Sequence, residues 1–112
     1  MRTAILTGLY KGSGKVTKLA DVAAGDVLTV NVSYANSTSD AQTVNVLVAY
    51  YAGNALDHVE LVKTENIAAS VVTMNYTYNH TVSDLTDITR VKVFSWDALN
   101  SMVPLSESIV LE

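Results

Sequence analysis

Apolar and polar residues alternate with a period of two along much of this chain. Over residues 27–34 every second side chain is apolar, and the same pattern recurs over residues 43–51 and 71–79. This alternation predicts β-strands with one face in the core and one in solvent. The positions assigned to the core are Leu28, Val30, Val32 and Tyr34, then Val44, Val46, Val48 and Tyr50, then Val72, Met74, Tyr76 and Tyr78.

Segments with turn chemistry separate the predicted strands. The polar residues 35–40 cannot be periodic and are predicted to form a loop. Gly53 and Asn54 tolerate positive φ and predict a hairpin between residues 43–51 and a return strand over residues 56–62. Further connections are predicted at residues 10–15, 23–26 and 83–89.

The remaining segments complete a short-strand pattern without helical periodicity. Strands are predicted over residues 3–9, 16–19, 90–96 and 107–111, and residues 98–105, which contain the only proline, are predicted to be irregular. Seven or eight short strands with alternating faces favour an antiparallel β-sandwich, because strands of a buried parallel sheet would give continuous apolar runs. We expect residues 1–112 to form a single sandwich module, cut from a larger protein.

Composition excludes several classes of function. The chain has 112 residues, seven Lys and Arg against eleven Asp and Glu, and no Cys. An acidic chain has no basic stripe for phosphates, so nucleic-acid binding is not expected, and no disulfide can form. The apolar runs are far shorter than the roughly 18 residues that a membrane span needs, so no membrane insertion is expected.

Known catalytic and metal-binding patterns are not met. Gly12 to Lys15 resembles a phosphate-binding loop, but Leu9 and Val16 occupy positions where that loop needs Gly and Ser or Thr. There is no nucleophile elbow and no Cys nucleophile. His58 and Glu60 lie two apart and share a strand face, yet the sequence offers no third metal ligand. We therefore expect neither catalysis nor a cofactor.

Three segments resemble a recurring module of secreted bacterial multidomain proteins. They are Val48-Ala49-Tyr50-Tyr51, Leu56-Asp57-His58-Val59 and a closing motif V-K-x-F-x-W-D-x-x-x-x-M-x-P-L over residues 91–105. Leu85 followed by Val91-x-Val93 also resembles the corner between strands E and F of fibronectin type III domains. The chain departs from these patterns where Tyr51 replaces an Asp and Val91 replaces a Tyr.

The resemblance implies an immunoglobulin-like or fibronectin-type-III-like accessory module of a secreted or cell-surface bacterial protein. Such modules accompany carbohydrate-active or cell-envelope proteins. Two roles stay open: weak binding of a polysaccharide, or a structural spacer or protein-interaction module without a sugar ligand. In both, the expected partners are the neighbouring domains of the parent protein.

A candidate ligand-binding group contains two aromatic residues of the closing motif. With Val91 and Val93 inward, Phe94 and Trp96 are expected to point away from the core, where sugar rings could stack on them. Hydrogen bonds could come from Asp97, Asn100 and Tyr51. The alternative interpretation is that residues 98–105 fold over Phe94 and Trp96 and bury both.

Overall fold

The computed structural model describes residues 2–96 and 108–112 and contains two antiparallel sheets. Its strands are β1 Arg2–Lys11, β2 Gly14–Lys15, β3 Val27–Asn36, β4 Gln42–Ala52, β5 Ala55–Ile67, β6 Val71–Thr81, β7 Arg90–Trp96 and β8 Ile109–Leu111. The first sheet has the order β2-β1-β3-β6 and the second has the order β5-β4-β7-β8. The chain is therefore an antiparallel β-sandwich of eight strands, as the alternation predicts.

The core lies between the sheets and is formed by alternate residues of each inner strand. The predicted inward residues of β3 and β4 are all buried, and β7 adds Val91 and Val93. Leu111 of β8 is also fully buried. Ser95 joins the layers because its hydroxyl donates a 2.9 Å hydrogen bond to the carbonyl of Ala4. The buried inward side chains of β3 and β4 are Leu28, Val30, Val32, Tyr34, Val44, Val46, Val48 and Tyr50.

The connections between strands mostly follow the predicted turns. Gly53 has φ of 62° in the tight turn that joins β4 to β5. That positive φ explains why glycine stands there. The chain crosses from one sheet to the other after β3, after β5 and after β6. In the last of these crossings, Leu85 packs against the core and Ile88 is buried.

Several predicted boundaries are wrong. No strand forms over residues 16–19: β2 ends at Lys15, and Leu19–Asp21 form a 3-10 turn. The carboxylate of Asp21 accepts hydrogen bonds from the amides of Thr17 and Lys18, which turns the chain out of the sheet.

Three further boundaries differ. Strand β3 extends to Asn36, and β5 extends to Ile67 rather than ending at residue 62. In the described part of the predicted final strand, residues 109–111 form β8 and Ser108 does not, and residue 107 lies outside the described residues. Residues 98–105, predicted to be irregular, lie outside the described residues.

Candidate functional site

Tyr51 and Phe94 lie on one sheet face that points away from the core. In the register of β4 with β7, Tyr51 pairs with Arg90 and Leu47 pairs with Phe94. Because successive side chains of a strand alternate between faces, the burial of Val91 and Val93 places Phe94 on the opposite side. We call this side of β5, β4, β7 and β8 the outer face. Both Tyr51 and Phe94 are partly buried there.

Trp96 continues the same row of β7. Its backbone pairs with Asn45 of β4, two positions beyond Phe94 and on the same side of the sheet. Over the six steps between the seven residues from Arg90 to Trp96, the strand rises by about 20 Å. The backbone of Trp96 therefore lies in register at the end of this strand, and its side chain is outside the described part of the structure.

Two cations contact the ring of Tyr51. The guanidinium carbon of Arg90 lies 4.8 Å from the ring centroid, and the ammonium of Lys92 lies 5.4 Å from it. Both distances fall within the range of cation–π attraction. The Nε of Arg90 is buried and has no hydrogen-bond partner in the described structure. Tyr51 is thus an aromatic group flanked by hydrogen-bond donors, which is a chemistry suited to oxygen-rich ligands.

The other predicted members of the site are not placed. Asp97 and Asn100 lie outside the described residues, as does the segment 98–105 that the alternative interpretation put over Phe94 and Trp96. From the predicted group, the structure therefore places Tyr51 and Phe94 on one face, four strand positions apart, and adds Arg90 and Lys92 beside Tyr51. The sequence could have indicated both cations. Arg90, Lys92 and Phe94 are spaced two apart on β7, and residues two apart on a strand share a face.

The outer side of β4 is less exposed than its alternation suggests. Asn45, Leu47 and Ala49 point outward, yet all three are buried. Strand β4 lies between β5 and β7, so side chains of both neighbours flank each outward position. At Asn45, for example, the hydroxyl of Thr64 on β5 donates a 2.8 Å hydrogen bond to Oδ1. The outer face is therefore a packed surface and not a row of isolated polar groups.

A second group of polar side chains lies at the edge of the sandwich where β5 faces β6. His58 Nδ1 is 2.6 Å from Asp57 Oδ2, and His58 Nε2 is 3.0 Å from Ser83 Oγ and 3.4 Å from Glu60 Oε1. The hydrogen bond to Asp57, followed by that to Glu60, raises the pKa of His58. A raised pKa favours the imidazolium, which cannot act as a base toward Ser83.

Metal binding at this edge has no support from the described residues. Within residues 2–96 and 108–112, no three His, Asp or Glu side chains are grouped so that they could hold a metal ion. His58 and Glu60 do share a face, as predicted, but it is the inward side of an edge strand.

His80 is a buried polar residue that the sequence interpretation missed. It pairs with Leu28 and its Nε2 lies 2.7 Å from the hydroxyl of Tyr50. Burial lowers the pKa of His80. The sequence could have indicated that His80 is inward, because it follows Tyr76 and Tyr78 at a spacing of two along β6.

Comparison of the chain with protein-family models, with curated proteins and with solved structures gives no match. Among the described residues, no helix is long and apolar enough to cross a membrane. The features of the described structure that bear on function are therefore the side chains around Tyr51 on the outer face and the group around His58.

Proposed function

We propose that this sandwich is a non-catalytic accessory module of a secreted or cell-surface bacterial protein and binds glycan weakly through its outer face. The observation that carries the proposal is that Tyr51 and Phe94 point outward from the same sheet, with the backbone of Trp96 in the same row. Aromatic rings beside hydrogen-bond donors are the common composition of ligand sites that combine apolar contact with orientation. The neighbouring domains of the parent protein would be its other partners.

A flat surface also agrees with a non-catalytic role. Enzyme sites are concave and surround their substrate, whereas the outer face is one side of a sheet. The most triad-like geometry, Asp57, His58 and Ser83, has its imidazole shared between two carboxylates. The hydrogen bonds to both carboxylates raise the pKa of His58, which favours its imidazolium over the neutral form that would take a proton from Ser83.

Affinity electrophoresis in native gels that contain soluble polysaccharides tests the proposal. Wild-type protein should be retarded by at least one polysaccharide, and Tyr51→Ala and Trp96→Ala should each reduce the retardation. Tyr10→Ala is the matched control, because Tyr10 lies on β1 of the other sheet. Circular dichroism of each variant checks that the fold is intact. Retardation of the wild type that neither Tyr51→Ala nor Trp96→Ala reduces would contradict the assignment of the outer face.

One observation favours a second role as a spacer or protein-interaction module without a sugar ligand. Large apolar side chains are exposed on the same outer face: Val59 is 38% exposed and Leu61 is 51% exposed, and Leu56 and Val110 are also exposed. Exposed apolar surface of this kind can pack against a neighbouring domain. Absence of retardation by every polysaccharide would support this role and contradict glycan binding.

A further inference from the structure

The outer face differs in charge from the rest of the molecule. The chain carries a net charge of −4, with eleven acidic residues. Among the described strand positions of this face, however, the charged side chains are Arg90 and Lys92, and no carboxylate is present. The rows are given by register: Thr43, Asn45, Leu47, Ala49 and Tyr51 of β4, Leu56, Val59, Leu61, Thr64 and Asn66 of β5, Arg90, Lys92, Phe94 and Trp96 of β7, and Val110 of β8.

The acidic residues of β5 are directed elsewhere. Glu60 pairs with Val48 and Glu65 pairs with Val44, and both Val residues belong to the core side of β4. Glu65 accepts a 2.9 Å hydrogen bond from the hydroxyl of Tyr78 across the edge of the sandwich. The third carboxylate of β5, Asp57, stands at the register irregularity between Tyr50 and Tyr51 and lies 2.6 Å from Nδ1 of the inward His58. None of these three carboxylates forms a described ion pair with Arg90 or Lys92.

Arg90 and Lys92 are positioned so that both could bind the same anionic group. Both lie over the ring of Tyr51, at 4.8 and 5.4 Å from its centroid. Within residues 2–96 and 108–112, no ion pair joins either cation to a carboxylate. A guanidinium presents a planar set of donors that matches a carboxylate, and an ammonium adds a point charge beside it.

We propose, on the basis of the glycan-binding function above, that the ligand is an acidic polysaccharide. A uronate carboxylate would pair with Arg90 and Lys92 while the sugar ring lies against Tyr51. Non-specific attraction does not explain such binding, because a protein with a net charge of −4 repels a polyanion as a whole. Selectivity must then come from the local arrangement of the two cations.

The test uses one polymer in two forms. The full chain is run in native gels that contain either polygalacturonate or the same polymer fully methyl-esterified, with EDTA present to remove bridging cations. The ester keeps the sugar rings and removes the negative charge. We expect retardation by the free acid and little or none by the ester. Lys92→Gln should weaken the apparent affinity for the acid by about threefold or more, as expected for the loss of one exposed charge contact.

Two further variants identify the contact. Arg90→Lys keeps the charge and removes the planar set of donors, so it should also weaken binding. Lys15→Gln removes the same charge as Lys92→Gln from β2 of the first sheet and should leave retardation unchanged. If Lys15→Gln weakens binding as much as Lys92→Gln does, the attraction is general and the inference is wrong.

The remaining outcomes separate this inference from the proposed function. Equal retardation by the acid and the ester would overturn the acidic specificity and leave glycan binding in place. Retardation only by uncharged polysaccharides, such as xylan or hydroxyethyl cellulose, would likewise overturn the acidic specificity and leave glycan binding in place. No retardation by acid, ester or uncharged polymer would overturn both.

Discussion

The imidazole of His58 stacks on the phenol ring of Tyr50, with ring centroids 4.4 Å apart and planes 9° from parallel. Tyr50 belongs to the core of β4, and His58 lies opposite it on β5. The Tyr50 hydroxyl continues the contact, because it lies 2.7 Å from His80 Nε2 and accepts a hydrogen bond from the Ser83 amide at 3.3 Å. This one side chain therefore connects the second sheet to β6 and to the segment that follows it.

Tyr50→Phe should destabilise the protein by about 1–3 kcal/mol, because it leaves the buried His80 and the Ser83 amide without their partner. Urea denaturation followed by circular dichroism measures the change. Tyr76→Phe is the matched control: the only hydrogen bond described for its hydroxyl is a 4.0 Å contact with the sulfur of Met74. The control should change stability by less than about 0.5 kcal/mol. Equal effects of the two variants would show that the Tyr50 contacts contribute nothing.

His58 and His80 should make the stability of the fold greatest near pH 6.5. The pKa of His58 is raised from its ordinary value of 6.5, mainly by its hydrogen bond to Asp57. Its contribution is therefore fully present below pH 6.5 and is lost as the pH rises through the raised pKa. The pKa of His80 is lowered by burial. Its neutral form is favoured in the fold, so stability falls as the pH decreases from 6.5 toward that lowered pKa.

Denaturation midpoints measured between pH 5 and pH 9 check this profile. His58→Gln should remove the decline above pH 6.5 and keep the decline below it. His80→Gln should do the reverse. The carboxyl groups of Asp21, Asp26 and Asp84 have pKa values below their ordinary 3.8, so their contribution to stability is constant between pH 5 and pH 9 and is lost only at lower pH. A midpoint that does not change between pH 5 and pH 9 would contradict both assignments.

The sequence predicted the sandwich well because alternation reports directly which side chains face a core. It was less accurate at strand edges, where burial depends on the neighbouring strand. Tyr76 and Tyr78 are inward as predicted but only partly buried, since β6 is an edge strand, and Met74, also assigned to the core, is 41% exposed. Leu47 and Ala49 show the opposite case, because β4 is central and its outward side chains are covered.

The polar contacts between segments that are distant in the chain could not be predicted from the sequence. Arg90 and Lys92 meet Tyr51 only through the register of β4 with β7, and a period of two does not fix register between strands. The alternation along β6 does not indicate that His80 bonds to Tyr50, thirty residues away in the chain. Both relationships depend on pairing that no local pattern reveals.

Asn36 should be among the polar residues most sensitive to substitution. The sequence interpretation put it in a loop, but it is the last residue of β3 and is fully buried. Its Nδ2 donates to the carbonyls of Asp40, Ile67 and Ala68 at 2.9 to 3.2 Å, and its Oδ1 accepts from the amide and hydroxyl of Thr38. It thereby holds together two connections between the sheets.

Asn36→Ala should cost about 2–3 kcal/mol, because several buried polar groups lose their partner. Asn36→Asp has nearly the same shape but turns an oxygen toward three carbonyls, so it should also destabilise the fold, and less at a pH where the carboxyl is protonated. Denaturant midpoints compare both variants with Asn79→Ala, an exposed control on β6. Stability unchanged by Asn36→Asp at pH 7 would contradict the described hydrogen bonds.

Two neighbouring residues of β8 test whether this three-residue strand is part of the core. Leu111 is fully buried and pairs with Val91, whereas Val110 is 37% exposed and pairs with Lys92 on the outer face. Leu111→Ala removes a core side chain and should lower the free energy of unfolding by about 2–5 kcal/mol. Val110→Ala should cost less than about 1 kcal/mol, because much of its surface is already in water. Thermal and urea denaturation measure both. If the two variants lose the same stability, β8 does not alternate between core and outer face, and Lys92 would no longer be assigned to the same side as Val110.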